Sequence, residues 1–306
     1  MGVGAERARA AVIVNPISGA RGRPDAGPRR AELARAVLAA EGVEAEVRVT
    51  ERAGHAFELA RDATARGASL VFAWGGDGTV NEVGRALAFG GVSLAIVPAG
   101  SGNGLARELG VPRHPAAALR AGLRAPDRAI DAGELGGRLF FNTAGIGFDA
   151  RVAACFNARA QGRRGLLPYL TLAVRELFAY RAAEYALAVD GEPLRCRALL
   201  IACANARQYG GHAVIAPRAR VDDGRLDLVV VEPRAPLLTL WEARRLFTGS
   251  IGGATGVLMR TFTRLEVTAA QPLAFHVDGE PAAGGTTLAA RVHPGALRVR
   301  AGVPAA

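Results

Sequence analysis

The stretch SLVFAWGGDGTVNEV covers residues 69–83. An apolar run ends in a turn with three glycines, and a helical pattern follows at once through Val80 to Leu87. Strand, tight glycine turn and helix in that order make one step of a βαβ unit. The same step recurs on either side. AVIVN (11–15) leads to a helical pattern over Arg29 to Ala40, VEAEVRVT (43–50) to another over His55 to Arg66, and SLAIVP (93–98) closes the series. Strands alternating with helices at this spacing predict an open, mostly parallel α/β domain. From about Asp131 the pattern changes to runs of period two: YALAVDG, CRALLIACA, RLDLVVVE, RLEVTAA, LAFHVDG and ALRVRA, with helical stretches only near 150–180 and 236–248. Such runs between turn signals predict an antiparallel β-sandwich, with the boundary near 130–140. RGRPDAGPRR (21–30) reads as a mobile loop.

The 306 residues suggest two domains at about 150 residues each. With 50% hydrophobic and 22% charged residues the chain is globular, which excludes a disordered or collagen-like protein. Cys155, Cys196 and Cys203 lack CxxC spacing, so neither a disulfide framework nor a zinc site is indicated, and a reducing cytoplasm is expected. The formal charge is +10, and every basic residue apart from histidine is arginine. Without a lysine the chain cannot form an ordinary P-loop, whose lysine reaches the nucleotide phosphates. The arginines are scattered, and only 6% of residues are aromatic, so nucleic acid is not an expected partner. Phosphorylated ligands and anionic membrane surfaces remain. The N-terminus shows no signal-peptide pattern, and Arg175 and Glu176 interrupt the longest apolar candidate, Leu166 to Tyr180, so a soluble protein is expected.

Four glycine-rich loops follow apolar runs: NPISGARG (15–22), GGDGTVNEV (75–83), PAGSGNGLA (98–106) and NTAGIGFDA (142–150). The first three fall at the carboxyl ends of predicted parallel strands, where open α/β sheets bind ligands. Glycines there let backbone N–H groups approach an anion, and the N-terminus of the next helix adds partial positive charge. Asp77 adds a carboxylate among the glycines. Beside phosphates it can hold Mg²⁺ or accept a proton, and it can also cap the following helix, as can Thr79.

GGDGTVNEV, preceded by NPISG and followed by PAGSGN, resembles the diacylglycerol kinase catalytic-domain family, which includes bacterial soluble lipid kinases, sphingosine kinases and ceramide kinase. The resemblance continues through FFNTAGIGFDARV (140–152), RRGLLPYL (163–170), the stretch from Ala204 to Glu232 and HVDGE (276–280). It implies a nucleotide-binding α/β domain over 1–135, a β-rich lipid-substrate domain over 136–306 and an active site in the cleft between them. It also implies ATP, Mg²⁺ and a lipid substrate. By the resemblance the loop Gly75, Gly76, Asp77, Gly78, Thr79, Val80 and Asn81 wraps the ATP phosphates, and Asn15, Thr50, Gly100, Ser101 and Asn103 contact nucleotide. Glu280 matches the base that deprotonates the lipid hydroxyl, with Asp77 as the second catalytic carboxylate. Asp223, with the backbone carbonyls of Arg220 and Arg225, matches a magnesium site, and Asp149 matches a region that faces the lipid head group, with a structural salt bridge as its other reading.

Two features complicate the match. Many bacterial members carry aspartate where this chain has Gly104, and GSGNGLA looks more like the sphingosine and ceramide kinase version. VDGEP also occurs twice, at 189–193 and 277–281, and a DG hairpin turn accounts for either copy. The family places its functional copy late, which favours Glu280 and leaves Glu192 in a turn. His55, His114, His212, His276 and His293 lack ligand spacing and read as surface or hydrogen-bonded residues. Arg163 and Arg164 read either as a solvated helix end or as a phosphate contact. The expected protein is a cytoplasmic lipid kinase peripheral to the inner membrane, touching anionic lipid transiently, with a homodimer allowed. NAD kinase shares the GGDGT loop, but its threonine-rich motif is absent; an inactive lipid-binding member of the fold is the other alternative.

Overall fold

A computed structural model describes residues 9–19, 25–158 and 166–301. The chain divides into two compact units, Met1–Ile130 with Ala296–Ala306, and Asp131–Gly295.

The first unit is built as the periodicity predicts, from β1 (Ala10–Val14), α1 (Ala26–Ala40), β2 (Ala45–Val49), α2 (His55–Ala65), β3 (Leu70–Gly75), α3 (Asp77–Leu87), β4 (Ser93–Pro98), α4 (Gly104–Glu108) and α5 (Pro115–Arg124). The strands run parallel in the order β2-β1-β3-β4. β1 and β3 are buried along their whole length, as a sheet covered by helices on both faces requires. One face packs Val12, Val14, Phe72, Trp74, Ala95 and Val97 against Val37 and Leu38 of α1 and Leu119 of α5. On the other face α2 and α3 pack against each other, with α2 on β1 and α3 on β3. Residues 21–24 of the expected mobile loop lie outside the described residues, and from Ala26 onward the segment is helix rather than loop. Pro28 in its first turn does not prevent this, because a first-turn N–H has no helical acceptor to lose.

The second unit contains the antiparallel strands. After β5 (Asp127–Leu135) come β6 (Arg138–Phe140), β7 (Thr143–Gly147), α6 (Phe148–Ala158), α7 (Leu166–Ala179), β8 (Ala183–Val189), β9 (Glu192–Ala198), β10 (Leu200–Ala204), β11 (Gln208–Gly210), β12 (Ala213–Val214), β13 (Leu226–Val231), α8 (Pro236–Ala243), β14 (Val257–Phe262), β15 (Arg264–Ala269), β16 (Ala274–Val277), β17 (Glu280–Ala283) and β18 (Thr287–Arg300). One sheet has the order β14-β13-β10-β7-β16-β17; facing it, β9, β8, β15 and the first part of β18 pair in sequence. Ile201, Leu228 and Phe262 of the first sheet share a core with Leu187, Val267 and Leu288 of the second.

Two runs behave differently from their sequence reading. CRALLIACA is two strands, because the chain leaves one sheet at Ala198 and enters the other at Leu200. Leu199 at the crossover donates its N–H to Val231 and accepts one from Phe148. ALRVRA ends β18 within the first unit, where Val299 pairs in parallel with Leu94 of β4. A residue count of two per repeat is the same in either sheet and in either direction, so the pattern did not register these changes.

Gly122 of α5 tests the first unit's packing. A Cβ at this position would lie 2.6 Å from the Phe72 ring and 2.7 Å from the Ala95 Cβ, both buried. Gly122→Ala should therefore destabilise by about 1–3 kcal/mol through overpacking, although alanine favours a helix by about 1 kcal/mol over glycine. Urea denaturation measures the sign directly.

Candidate active site

The loops after β1, β3 and β4 meet at one edge of the first unit's sheet. Asn15 ends β1, and its amide nitrogen donates to the Thr79 hydroxyl at 2.9 Å. The Asn15 side-chain oxygen accepts the Ile17 N–H at 3.1 Å. Ser18 receives the Gly76 N–H on its hydroxyl at 3.2 Å, and Arg30 of α1 holds the carbonyls of both Asn15 and Ser18 at 2.6 Å. Gly76 and Gly100 stand back to back: a Cβ on Gly100 would come within 2.7 Å of the Gly76 Cα.

Asp77 fastens the second loop to the third. One carboxylate oxygen accepts the Asn103 N–H at 2.8 Å and the other the Gly104 N–H at 2.7 Å. Asn103 has left-handed φ of 51° and closes its own loop by exchanging side-chain bonds with the N–H and C=O of Gly100, at 2.8 and 2.7 Å. Burial pushes the Asp77 carboxyl above its ordinary range, against the downward pull of the two N–H donors and of Arg107. The capping role open to Asp77 is thus realised on α4 rather than on α3, the helix it begins. Both oxygens have a positioning task.

The first turn of α3, beginning at Asp77, presents N–H groups that have no intrahelical acceptor, the arrangement that binds anions. Asn15, Gly76, Asp77, Gly78, Gly100 and Asn103 are partly accessible, and Ser101 is exposed. Thr50, Gly75, Thr79, Val80 and Asn81 are buried, and of these Thr79 is bonded to the first loop through Asn15. Ser18 lies in NPISGARG and Arg30 at the end of RGRPDAGPRR, yet the sequence reading assigned neither a role, because their partners, the Gly76 N–H and the Asn15 and Ser18 carbonyls, are brought to them by the fold.

In the second unit the two VDGE copies have the same build. Asp278 and Gly279 have φ of 47° and 85°, Asp190 and Gly191 φ of 49° and 92°, each pair the two-residue turn of a hairpin. Asp278 accepts the N–H groups of Phe141, Asn142 and Thr143, each at 3.0 Å. Asp190 accepts those of Thr263 and Arg264 at 2.9 and 2.8 Å. Glu280 and Glu192 are both exposed.

The neighbourhoods differ. Next to the late copy, His276 places Nε2 3.1 Å from Asp149 Oδ2, which also accepts the Tyr209 hydroxyl at 2.6 Å. The Gly279 N–H reaches His276 Nδ1 at 3.4 Å. Asp149 and His276 are 4% and 5% exposed, and Gly145 beneath them leaves no room for a Cβ. Asp149 is therefore a buried member of this network rather than a group facing outward, and His276 is the hydrogen-bonded residue its spacing suggested. The early copy has Ala188 where the late one has His276. Arg163 and Arg164 lie outside the described residues.

The matched magnesium ligands sit on an exposed turn. Asp223 accepts the Arg225 N–H at 3.1 Å, and Asp131 braces the same turn by accepting the Gly224 and Gly295 N–H groups at 2.7 and 2.8 Å. A carboxylate with the carbonyls of Arg220 and Arg225 is an all-oxygen set, suited to a hard cation. Among the described residues no three His, Cys, Asp or Glu side chains gather as a metal site. The buried Asp227 carboxyl nearby is pushed up to about 6, by burial first and by Asp223 second, against the pull of Arg218 and Arg225.

This fixes the sign of a pH effect. The unfolded chain ionises Asp227 near pH 4 and the folded one near the raised value, so the proton's contribution to stability is complete below about pH 4 and is lost as pH rises through about 6. The stability of Asp227→Asn relative to the native protein should rise by roughly 1–3 kcal/mol across that window. Urea titrations of both proteins at about pH 4.5 and 7 check it.

Residues 9–135 match the diacylglycerol kinase catalytic domain, and residues 142–301 match the YegS C-terminal NAD kinase beta sandwich-like domain. Over 279 residues the chain is 39% identical to a Pseudomonas aeruginosa PAO1 protein named "Probable lipid kinase YegS-like", covering 88% of this chain and 89% of that one. A Pseudomonas fluorescens Pf-5 protein of the same name is 36% identical over 262 residues, covering 85% and 86%. A solved diacylglycerol kinase from Bacillus anthracis str. Sterne has the same fold, with a TM-score of 0.74 at 21% identity over 96% of this chain and 97% of that one.

Proposed function

The chain belongs to the diacylglycerol kinase family, with the two-part organisation of the YegS-like lipid kinases, and from that premise we propose that it transfers the γ-phosphate of ATP to a hydroxyl of a membrane or long-chain lipid. The observation that carries this is the tying of three glycine loops to one another at the carboxyl end of a parallel sheet, through Ser18, Asp77 and Asn103. Loops held in that way fix the place of the first turn of α3, whose N–H groups lack intrahelical acceptors, so that it meets phosphate without having to reorganise during transfer, which is the main contribution a protein makes to phosphoryl transfer.

In this reading Gly76, Gly78, Gly100 and Ser101 line the phosphate cradle, while Asn15, Thr50, Thr79, Val80 and Asn81 hold its shape. Asp77 keeps the second and third loops in register. Glu280, exposed at the end of the hairpin that Asp278 and His276 fix, takes the proton of the acceptor hydroxyl. A carboxylate can do this once the hydroxyl becomes acidic in the transition state. Mg²⁺, when bound, would neutralise phosphate charge, and Asp223 with the Arg220 and Arg225 carbonyls would hold a structural ion. No helix among the described residues is long and apolar enough to cross a membrane, so an acceptor in a bilayer is reached by peripheral contact.

The test is transfer of labelled γ-phosphate to a panel of diacylglycerol, sphingosine, ceramide, monoacylglycerol and phosphatidylglycerol, with NAD as a control acceptor. Labelling of one lipid class is expected; labelling of NAD and of no lipid overturns the reading. On the accepted lipid, Glu280→Gln should lower kcat at least about 100-fold, the scale of general-base catalysis. Glu192→Gln should leave kcat within about twofold and change stability by no more than about 0.5 kcal/mol. The reverse pattern would assign the base to the early hairpin.

Asp77→Asn sets an amide NH₂ against an N–H of Asn103 or Gly104. It should cost about 1–3 kcal/mol of stability and lower kcat about 100-fold with the protein still folded, as loss of a preorganised charge-stabilising loop would. Full turnover by a folded variant would remove Asp77 from the machinery.

A further inference from the structure

Large apolar side chains exposed to solvent are concentrated in one part of the second unit. Leu170, Val174 and Phe178 lie at positions i, i+4 and i+8 of α7 and are 39–59% exposed, while Leu172 and Leu177 of the same helix are buried. The helix therefore carries a second apolar stripe that its core contact does not use. On α8, Leu237, Leu238 and Trp241 are 72%, 48% and 59% exposed. None of the eight residues of α8 is buried. So short a helix gains little from its own hydrogen bonds in water, and here it gains nothing from burying a side chain in a core. The two helices touch each other, so both apolar sets lie in the same region of the second unit.

The charges around this surface have one sign in excess. Arg175 and Arg234 are exposed, and Arg244 stacks on the Trp241 ring with its guanidinium 3.2 Å from the ring centre. The acids of the two helices are already bonded to arginine: Glu176 to Arg151 at 2.8 Å and Glu242 to Arg245 at 2.7 Å. Guanidinium groups stay charged at any working pH and bind phosphate through paired N–H donors.

We propose that the α7–α8 face is the surface by which this protein docks on an anionic lipid bilayer. Leu237, Leu238, Trp241 and Phe178 enter the boundary between head groups and acyl chains, and Arg175, Arg234 and Arg244 meet the lipid phosphates. Tryptophan beside arginine, with leucines on the apolar side, is the composition of helices that lie in a membrane interface. A second copy of the chain fits less well, since a two-fold contact would bring this basic patch against itself. The proposal rests on the lipid-kinase reading only in that a long-chain acceptor resides in a bilayer.

Binding is measured without ATP and without acceptor lipid, by co-sedimentation with vesicles of phosphatidylcholine alone or mixed with phosphatidylglycerol. The native protein should sediment with the mixed vesicles, less so as salt is raised. Leu237→Ser with Trp241→Ser should lower the partition coefficient at least about tenfold, as loss of two buried apolar side chains would. Arg234→Glu with Arg244→Glu should remove the preference for phosphatidylglycerol. Both variants should melt within a few degrees of the native protein, and on a short-chain soluble acceptor they should keep kcat within about twofold. Native-like partition by folded variants overturns the proposal, as does a native dimer that the Leu237 and Trp241 changes dissolve while leaving vesicle binding intact. Failure to phosphorylate any lipid would defeat the kinase reading, and the sedimentation result would still decide the docking face.

Discussion

A backbone N–H turned away from both water and its neighbours in a sheet or helix must be given an acceptor, and this protein repeatedly gives it an aspartate. Asp77 serves Asn103 and Gly104, Asp278 serves Phe141 through Thr143, and Asp131 serves Gly224 and Gly295, while at the surface Asp190 serves Thr263 and Arg264 in the same way. Each joins a tight turn to a segment distant in sequence. A carboxylate suits this because its two oxygens can accept several donors at once and its charge strengthens each bond. The glycines around these aspartates supply the close approach or the left-handed φ that the turns require.

The functional surfaces depend on these ties. In the first unit the loops proposed to cradle phosphate are tied together by side chains: Ser18 and Asn15 join the first to the second, and Asp77 joins the second to the third. In the second unit the hairpin bearing Glu280 is fixed at its turn by Asp278 and beside it by His276, whose partner Asp149 is buried with Tyr209. At the turn braced by Asp131 the constraint is different, since burial, and Asp223 after it, raise the cost of ionising Asp227. A hard cation would relieve that cost, and protonation of Asp227 relieves it in part.

The apolar face of α7 and α8 stands apart from this logic, because nothing within the second unit covers it among the described residues. Leucine and tryptophan exposed on a helix without a buried residue are difficult to explain by folding alone. They are consistent with a protein whose acceptor is embedded in lipid, and the arginines around them give such a surface a preference for negative head groups.

Much of the site could be read directly from the sequence. Loop positions, helix starts and the alternation of strand with helix depend on residues within a few places of one another, so GGDGTVNEV and its flanking runs determined the parallel sheet, the glycine turn that opens α3 and the family. The two VDGE copies likewise announced two hairpins, since an Asp-Gly turn needs only its own residues. What the sequence could not contain were contacts made by chain segments far apart. That Asp77 reaches across 26 residues to Asn103, that Asp278 reaches back 135 to Thr143, and that only the later hairpin adjoins His276, Asp149 and Tyr209 follow from the tertiary fold. The crossover at Leu199 and the parallel pairing of Val299 with Leu94 were decided there too. A strand's periodicity records which faces are buried, and it carries no information about which neighbour buries them.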